Sequence, residues 1–259
     1  MYQSKVSRLT ILIFIILLGT GCSSNKPSVS EKYQGQAAKE LFIAGEKALN
    51  EESFRKSVEY FEALDSLYPF SPYSEQAQLD LIYVYYKTDD YASTVATIDR
   101  FIHLYPRSDA IDYVYYMRGL AHFEQDRGIL QKIFTTDASK RDINFARQAY
   151  ADFSQLLQRF PKSRYAEDAK QHMRYIRDIL AQHELGIAQY YMQRKAFVAA
   201  ANRASSIIQF YSQSPTVEEA LVVLVQANRA LQQEQTAADA LQILKANFPN
   251  SSYLKELES

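Results

Sequence analysis

Apolar and small residues recur three and four positions apart along most of the chain, in blocks that end on the same short punctuation. Counting from Ala38, one block runs Leu41, Ala44, Gly45, Phe54, Ser57, Phe61 and Leu64, and closes at Pro69. From Glu75 the series is Leu81, Ile82, Tyr85, Tyr91, Thr94, Ile98 and Phe101, closing at Pro106. A third block has Gly119, then Ala149, Phe153, Leu156 and Pro161. A fourth keeps Phe197, Ala200, Ala204 and Ile207, but has Tyr211-Ser212 where the others have a ring and a proline. The last holds Ala237, Leu241, Leu244 and Pro249. This spacing lays each stripe along one face of a helix. Proline, with its fixed φ and no N–H, ends the helix before it.

The distances between these prolines set the architecture. Pro69 to Pro106 is 37 residues, and Pro106 to Pro161 is one such period plus an insertion, placed near residues 125–142. A period in the thirties made of two helices is the signature of tetratricopeptide repeats. The expected fold is all-α, a right-handed helical solenoid of about five such repeats. No unit can bury its stripe alone, so units stack, and each large apolar side chain buried contributes ~1.5–3 kcal/mol. Small residues let the two helices of a unit cross closely. Leu79 to Tyr86 would look like a strand in isolation; its phase in the repeat makes it a helix, apolar nearly all round between two units. Residues 163–194 contain no proline and read as one long helix, with Gly186 its only weak point. The division expected is 34–106 for repeats one and two, 107–251 for repeats three to five with the long connecting helix, and 252–259 as a tail.

One turn departs from the rest. Tyr68-Pro69-Phe70-Ser71-Pro72-Tyr73 adds a second proline and two further rings to the punctuation. Ser71 before Pro72 reads as an N-cap with proline at the first helical position. The rings either line a pocket for a peptide or pack between the first two units.

Composition changes the picture mainly at the N-terminus. The 259 residues are 47% apolar and 23% charged, with seven Gly, seven Pro and 20 Tyr. Scarce glycine disfavours turn-rich β folds and phosphate-cradling loops. The net charge of −1 gives no reason to expect nucleic acid as a partner. Residues 1–21 are a targeting segment: Lys5 and Arg8, an apolar core from Leu9 to Leu18, then Gly19-Thr20-Gly21. That core is too short to span a bilayer of ~30 Å as a helix. Cys22, the one cysteine, follows directly. It is either incidental to a signal peptide or the lipidated first residue of the mature chain, because Leu18-Gly19-Thr20-Gly21-Cys22 resembles a bacterial lipoprotein cleavage box. The covalent group expected on Cys22 is then a diacylglycerol with an N-acyl chain, and anchoring takes about two such chains. Ser23 resembles the signal for export to the outer membrane, and residues 22–33 read as a polar tether.

Catalytic chemistry finds little support. His103, His122, His172 and His183 show no zinc spacing. No serine sits in a nucleophile elbow, and no glycine loop precedes a Lys-Ser/Thr pair. Glu51-Glu52, Asp89-Asp90 and Glu218-Glu219 fall at helix ends or starts, where they suit the helix dipole. The expectation is no enzyme, no metal and no cofactor beyond the acyl chains, but a concave helical surface of the kind that binds peptides or domains.

Several runs carry a closer likeness. The 68–73 turn with Gln78-Leu79-Asp80-Leu81-Ile82-Tyr83-Val84-Tyr85-Tyr86-Lys87, Ile98-Asp99-Arg100-Phe101-Ile102, Ile111 to Leu120, Ala151-Asp152-Phe153-Ser154, and Ala188 to Arg203 together resemble the BamD family, lipoproteins of the outer-membrane β-barrel assembly machinery. The resemblance implies a non-catalytic scaffold, lipid-anchored on the periplasmic face of the outer membrane. Its carboxyl-terminal repeats would hold the barrel subunit BamA through Asn202 and Arg203. Its amino-terminal repeats would receive unfolded outer-membrane proteins through Tyr68, Pro69, Phe70, Tyr73, Tyr83 and Arg100. BamC and BamE would be further partners. The alternative class is another periplasmic repeat lipoprotein, for example one coordinating cell-wall synthesis or division.

Overall fold

A computed structural model describes residues 28–130 and 143–258. The leader, Cys22 and the start of the tether therefore lie outside the described residues, as does most of the expected insertion. Twelve helices and no strand are found among those described. They are α1 (Val29–Lys32), α2 (Ala38–Asn50), α3 (Phe54–Leu67), α4 (Ser74–Lys87), α5 (Tyr91–Leu104), α6 (Ile111–Leu130), α7 (Asn144–Arg159), α8 (Ala166–Gln193), α9 (Phe197–Phe210), α10 (Val217–Ala230), α11 (Glu234–Asn247) and α12 (Leu254–Glu258). From α2 to α11 they form five helical pairs, each packed on the next, as the repeat phase predicts. No described helix is long and apolar enough to cross a membrane.

The turns between units are copies of one another. In each, the ring residue's N–H caps the helix behind it: Tyr68 to Leu64, Tyr105 to Phe101, Phe160 to Leu156, Tyr211 to Ile207, Phe248 to Leu244, at 2.8–2.9 Å. A serine three positions on donates its N–H to the ring residue's carbonyl in all five, from Ser71 to Ser251. That serine's Oγ then accepts an N–H from two residues later: Tyr73, Ala110, Tyr165, Thr216 and Tyr253. The turn at 211–216 makes the same bonds although Ser212 stands where the others have proline. None of those bonds uses the N–H at that position, so proline only presets φ there. Ser71 is thus not an N-cap. Its hydroxyl closes the turn, and α4 begins at Ser74, whose Oγ donates to the Tyr68 carbonyl at 2.6 Å.

Within units the turns share a different device. Glu52, Asp89, Lys195 and Gln232 sit at φ 54–59°, each just past a helix end. The next residue's N–H reaches back to the helix, as Ser53 does to Ala48 and Ala196 to Tyr191. This is the left-handed C-terminal cap, formed here without glycine. Glycine is required elsewhere: a Cβ on Gly45 would lie 2.5 Å from the Phe61 ring, and one on Gly119 2.5 Å from the Phe153 ring. Each pair marks where the two helices of a unit cross.

Three cores fill the solenoid. The first gathers Tyr33, Leu41, Phe61 and Leu64; the second Ile82, Phe101, Val114, Phe153 and Ile176; the third Leu185, Ile207, Leu221 and Leu244. The second core runs from repeat two into repeat three, so the expected division at 106/107 is not a boundary of packing. The long helix is present as α8. Its Ile176 and Leu180 belong to the second core, its Ala181, Leu185 and Ala188 to the third. The tether also ends sooner than residue 33. Ser28 and Glu31 form a capping box that opens α1, and Tyr33 is buried against Tyr60, rings 5.0 Å apart.

Candidate functional site

Leu79 to Tyr86 is helical, but not apolar all round. Leu81, Ile82 and Val84 are buried, while Asp80 and Tyr83 turn to the other side, toward an open cleft of about 690 Å³. At 100° per residue Gln76, Leu79, Asp80 and Tyr83 fall within about a third of the helix circumference. The facing wall is Tyr113 at the start of α6, and the third side is the turn carrying Lys162, Arg164 and Tyr165. Three successive units thus meet in one concavity.

The cleft is aromatic and mixed in charge. Tyr165 stacks on Tyr116 at 4.7 Å and 13°, and tilts against Tyr113 at 5.7 Å. Tyr116 Oη donates to Asp168 Oδ2 at 2.6 Å. Arg164 lies 4.9 Å over the Tyr165 ring and donates to its Oη. Burial pushes the Tyr113 phenol up, with Tyr165, Tyr83 and Asp80 adding to the shift, so the Tyr113 hydroxyl stays protonated. Asp80 is pushed up to about 6, chiefly by burial. Its Oδ1 accepts from Gln76 at 2.9 Å and its Oδ2 is buried without a hydrogen bond.

The six residues singled out by the sequence do not share this cleft. Tyr83 lines it and is 40% exposed. Tyr73 stacks on Phe42 of α2, rings 5.2 Å apart, and belongs with Tyr68 to the first core's margin. Tyr68 Oη donates to the Gln36 carbonyl at 2.8 Å, and Pro69 is half-buried. Phe70 stands clear at the turn's tip, 93% exposed. The residues in its place in the other four turns are Arg107, Lys162, Gln213 and Asn250, all exposed and polar. Arg100 is engaged: it forms a two-pronged pair with Asp65 of α3, one contact at 3.0 Å, and Asp65 also accepts from Gln78 at 2.9 Å. Arg100 therefore ties the second unit to the first.

Asn202 and Arg203 lie on α9, in the other half. Asn202 is exposed. Arg203 donates to Glu184 Oε2 at 2.8 Å, and Arg147 of α7 approaches Oε1 of the same carboxylate at 3.6 Å. Glu184 is buried, its side chain 8% exposed; Arg203 keeps 45% of its side chain open. Two guanidiniums on one carboxylate leave this face with a positive excess.

Sequence reasoning missed Asp80, Tyr113 and Tyr165 as cleft residues. A signal for one existed: Tyr73 and Tyr165 occupy the same place in their turns, five residues after the ring that opens each.

Comparison with known proteins adds a lineage. A family model described as an outer membrane lipoprotein, YfiO, matches residues 34–243. The outer membrane protein assembly factor BamD of Neisseria meningitidis serogroup B is 38% identical over 248 residues, covering 96% of this chain and 93% of that protein. The protein of the same name from Vibrio cholerae is 40% identical over 227 residues, 88% and 92% of the two chains. That of Haemophilus influenzae is 35% identical, covering 94% and 91%. Among solved structures, the type IV pilus biogenesis factor PilW is 14% identical with a TM-score of 0.39, covering 86% of this chain and 99% of its own.

Proposed function

The chain belongs to the BamD family, and from that premise we propose that it is a non-catalytic lipoprotein subunit of the outer-membrane β-barrel assembly complex. It is held by acyl chains on Cys22 at the periplasmic face of the outer membrane. It scaffolds BamA through the α9 face carrying Asn202 and Arg203, with BamC and BamE as further partners. It receives unfolded outer-membrane proteins on its amino-terminal half. The relatives carry the assembly-factor name over nearly their whole length, which favours this reading over a scaffold of cell-wall synthesis or division.

The observation that carries the substrate role is the convergence of Tyr83, Tyr113 and Tyr165 on one open cleft. Rings that line an open cleft and carry hydroxyls suit the aromatic and amide groups of an extended, uncharged strand. Phe70, exposed where every other turn is polar, offers a further anchor outside the cleft. Tyr73 and Arg100 act one step back, by fixing the first unit against the second.

The test is photo-crosslinking of an unfolded barrel protein to the purified chain. Phe70→Ala with Tyr83→Ala is expected to lower the yield severalfold, with helicity by circular dichroism unchanged because neither ring is in a core. An unchanged yield would overturn the assignment.

A further inference from the structure

A second open cleft, of about 430 Å³, lies in the other half of the molecule, and its charge sets it apart. The first cleft mixes Asp80, Asp109 and Asp112 with Lys162 and Arg164. The second is lined by Lys170, Arg174 and Arg177 and by no carboxylate. These three and Met173 stand at i, i+3, i+4 and i+7 on α8, a single stripe. Leu157 of α7 and Phe210 at the end of α9 add apolar wall.

The groups nearest these cations are accounted for. Lys170 bonds Glu167 at 2.6 Å on its own helix. Arg177, only 16% exposed, is held by Asp178 at 2.9 Å and by Gln213 Oε1 at 3.0 Å. Its fork is fixed in place, whereas Arg174 is exposed. Beside them Phe210 leaves 68% of its surface in solvent. An occupant that satisfies both features carries negative charge and an apolar side chain together.

We propose that this cleft docks an acidic segment of a partner protein, with carboxylates on Lys170 and Arg174 and an apolar side chain between Phe210 and Met173. The proposal deepens the partner-binding reading of α9 and rests on it. Arg203 and Phe210 are seven residues apart, two turns along one side of that helix, so the cleft continues the surface on which Arg203 stands. A concave shape selects a protruding side chain; a bilayer surface would meet only the rim. A lone phosphate would leave Phe210 uncovered.

The experiment is fluorescence anisotropy on the purified full-length protein. The probe is a short fluorescein-labelled peptide of alternating Glu and Leu with a central Phe. The wild type is expected to bind it, more weakly as salt rises. Lys170→Glu with Arg174→Glu is expected to weaken binding at least about tenfold, the scale of one lost charge-assisted contact pair. Phe210→Ala is expected to weaken it severalfold while leaving the salt dependence. Equal binding of the peptide with Gln in place of Glu would overturn the proposal, as would unchanged affinity in the double variant. So would binding of phosphatidylglycerol vesicles that the double variant abolishes while the peptide does not bind. Arg203→Glu, run beside these for capture of BamA, separates the two readings. Retained capture with loss of peptide in the double variant sinks the Arg203 contact alone. Lost capture with unchanged peptide binding in the double variant sinks the cleft alone.

Discussion

Asp80 shows how a cleft residue sets conditions for the whole fold. Burial raises its pKa from the ordinary 3.8 to about 6, and the Gln76 bond only partly offsets that. Between those values the folded chain holds a proton that the unfolded chain has released. Its favourable share of stability is complete below about pH 3.8 and is lost as pH rises through about 6. Above that, an ionised carboxylate sits with one oxygen buried and unbonded. Asp80→Asn keeps the acceptor for Gln76 and removes the charge. The variant is expected to be more stable than wild type at pH 7.5 by about 1–2 kcal/mol, a two-unit shift reduced for partial exposure. The gap closes by pH 4. Thermal melts at the two pH values measure it, and equal differences at both would refute the assignment. Nothing in the sequence distinguishes Asp80 from the other acids, because the cleft it lines takes its other walls, Tyr113 and Tyr165, from other units.

The turns are the element best written into the chain. A ring, a proline and a serine three positions on specify five copies of one hydrogen-bonded loop, and those contacts are all local. The turn at 211–216 shows which part is dispensable. Ser212→Pro is expected to be accepted there and to raise stability by about 0.4–1 kcal/mol, through loss of freedom in the unfolded chain. Denaturant unfolding measures it; a loss of stability would mean that the Ser212 N–H has a task in this turn. Locality also explains the misreadings. The rings of 68–73 are dense in sequence, yet Tyr68 and Tyr73 pack half-buried against the first core and only Phe70 stands fully clear of it. The cleft, by contrast, is assembled from α4, the start of α6 and the turn before α8, which no window of sequence brings together. That the tether ends before residue 33 was hidden for the same reason, since what fixes Tyr33 is Tyr60, on α3.

At the scale of the molecule, α8 is the shared part. Its 28 residues span about 42 Å at 1.5 Å each, and they serve two cores in turn. Stacked units in such a chain are stable by what each shares with its neighbour. Here much of the sharing runs through one rod, which the unbroken stretch 163–194 foretold. Ala181 is fully buried where the two cores meet. Ala181→Pro removes a backbone bond and clashes one turn back, at a cost of ~3 kcal/mol or more. Calorimetry is expected to show one transition in the wild type and two in the variant, the carboxyl-terminal units melting first. A single shifted transition would mean that the cores are coupled by other routes.

The carboxylate of Glu184 is carried on that rod's carboxyl-terminal half and has two claimants, Arg203 at 2.8 Å and Arg147 at 3.6 Å. Removing the sole counter-charge of a buried acid ordinarily costs about 3–5 kcal/mol. With a second cation already in attendance, one can be lent out. Arg203 is thus on a loose leash: an incoming acidic group can borrow it, and Glu184 is not left stranded while the loan lasts.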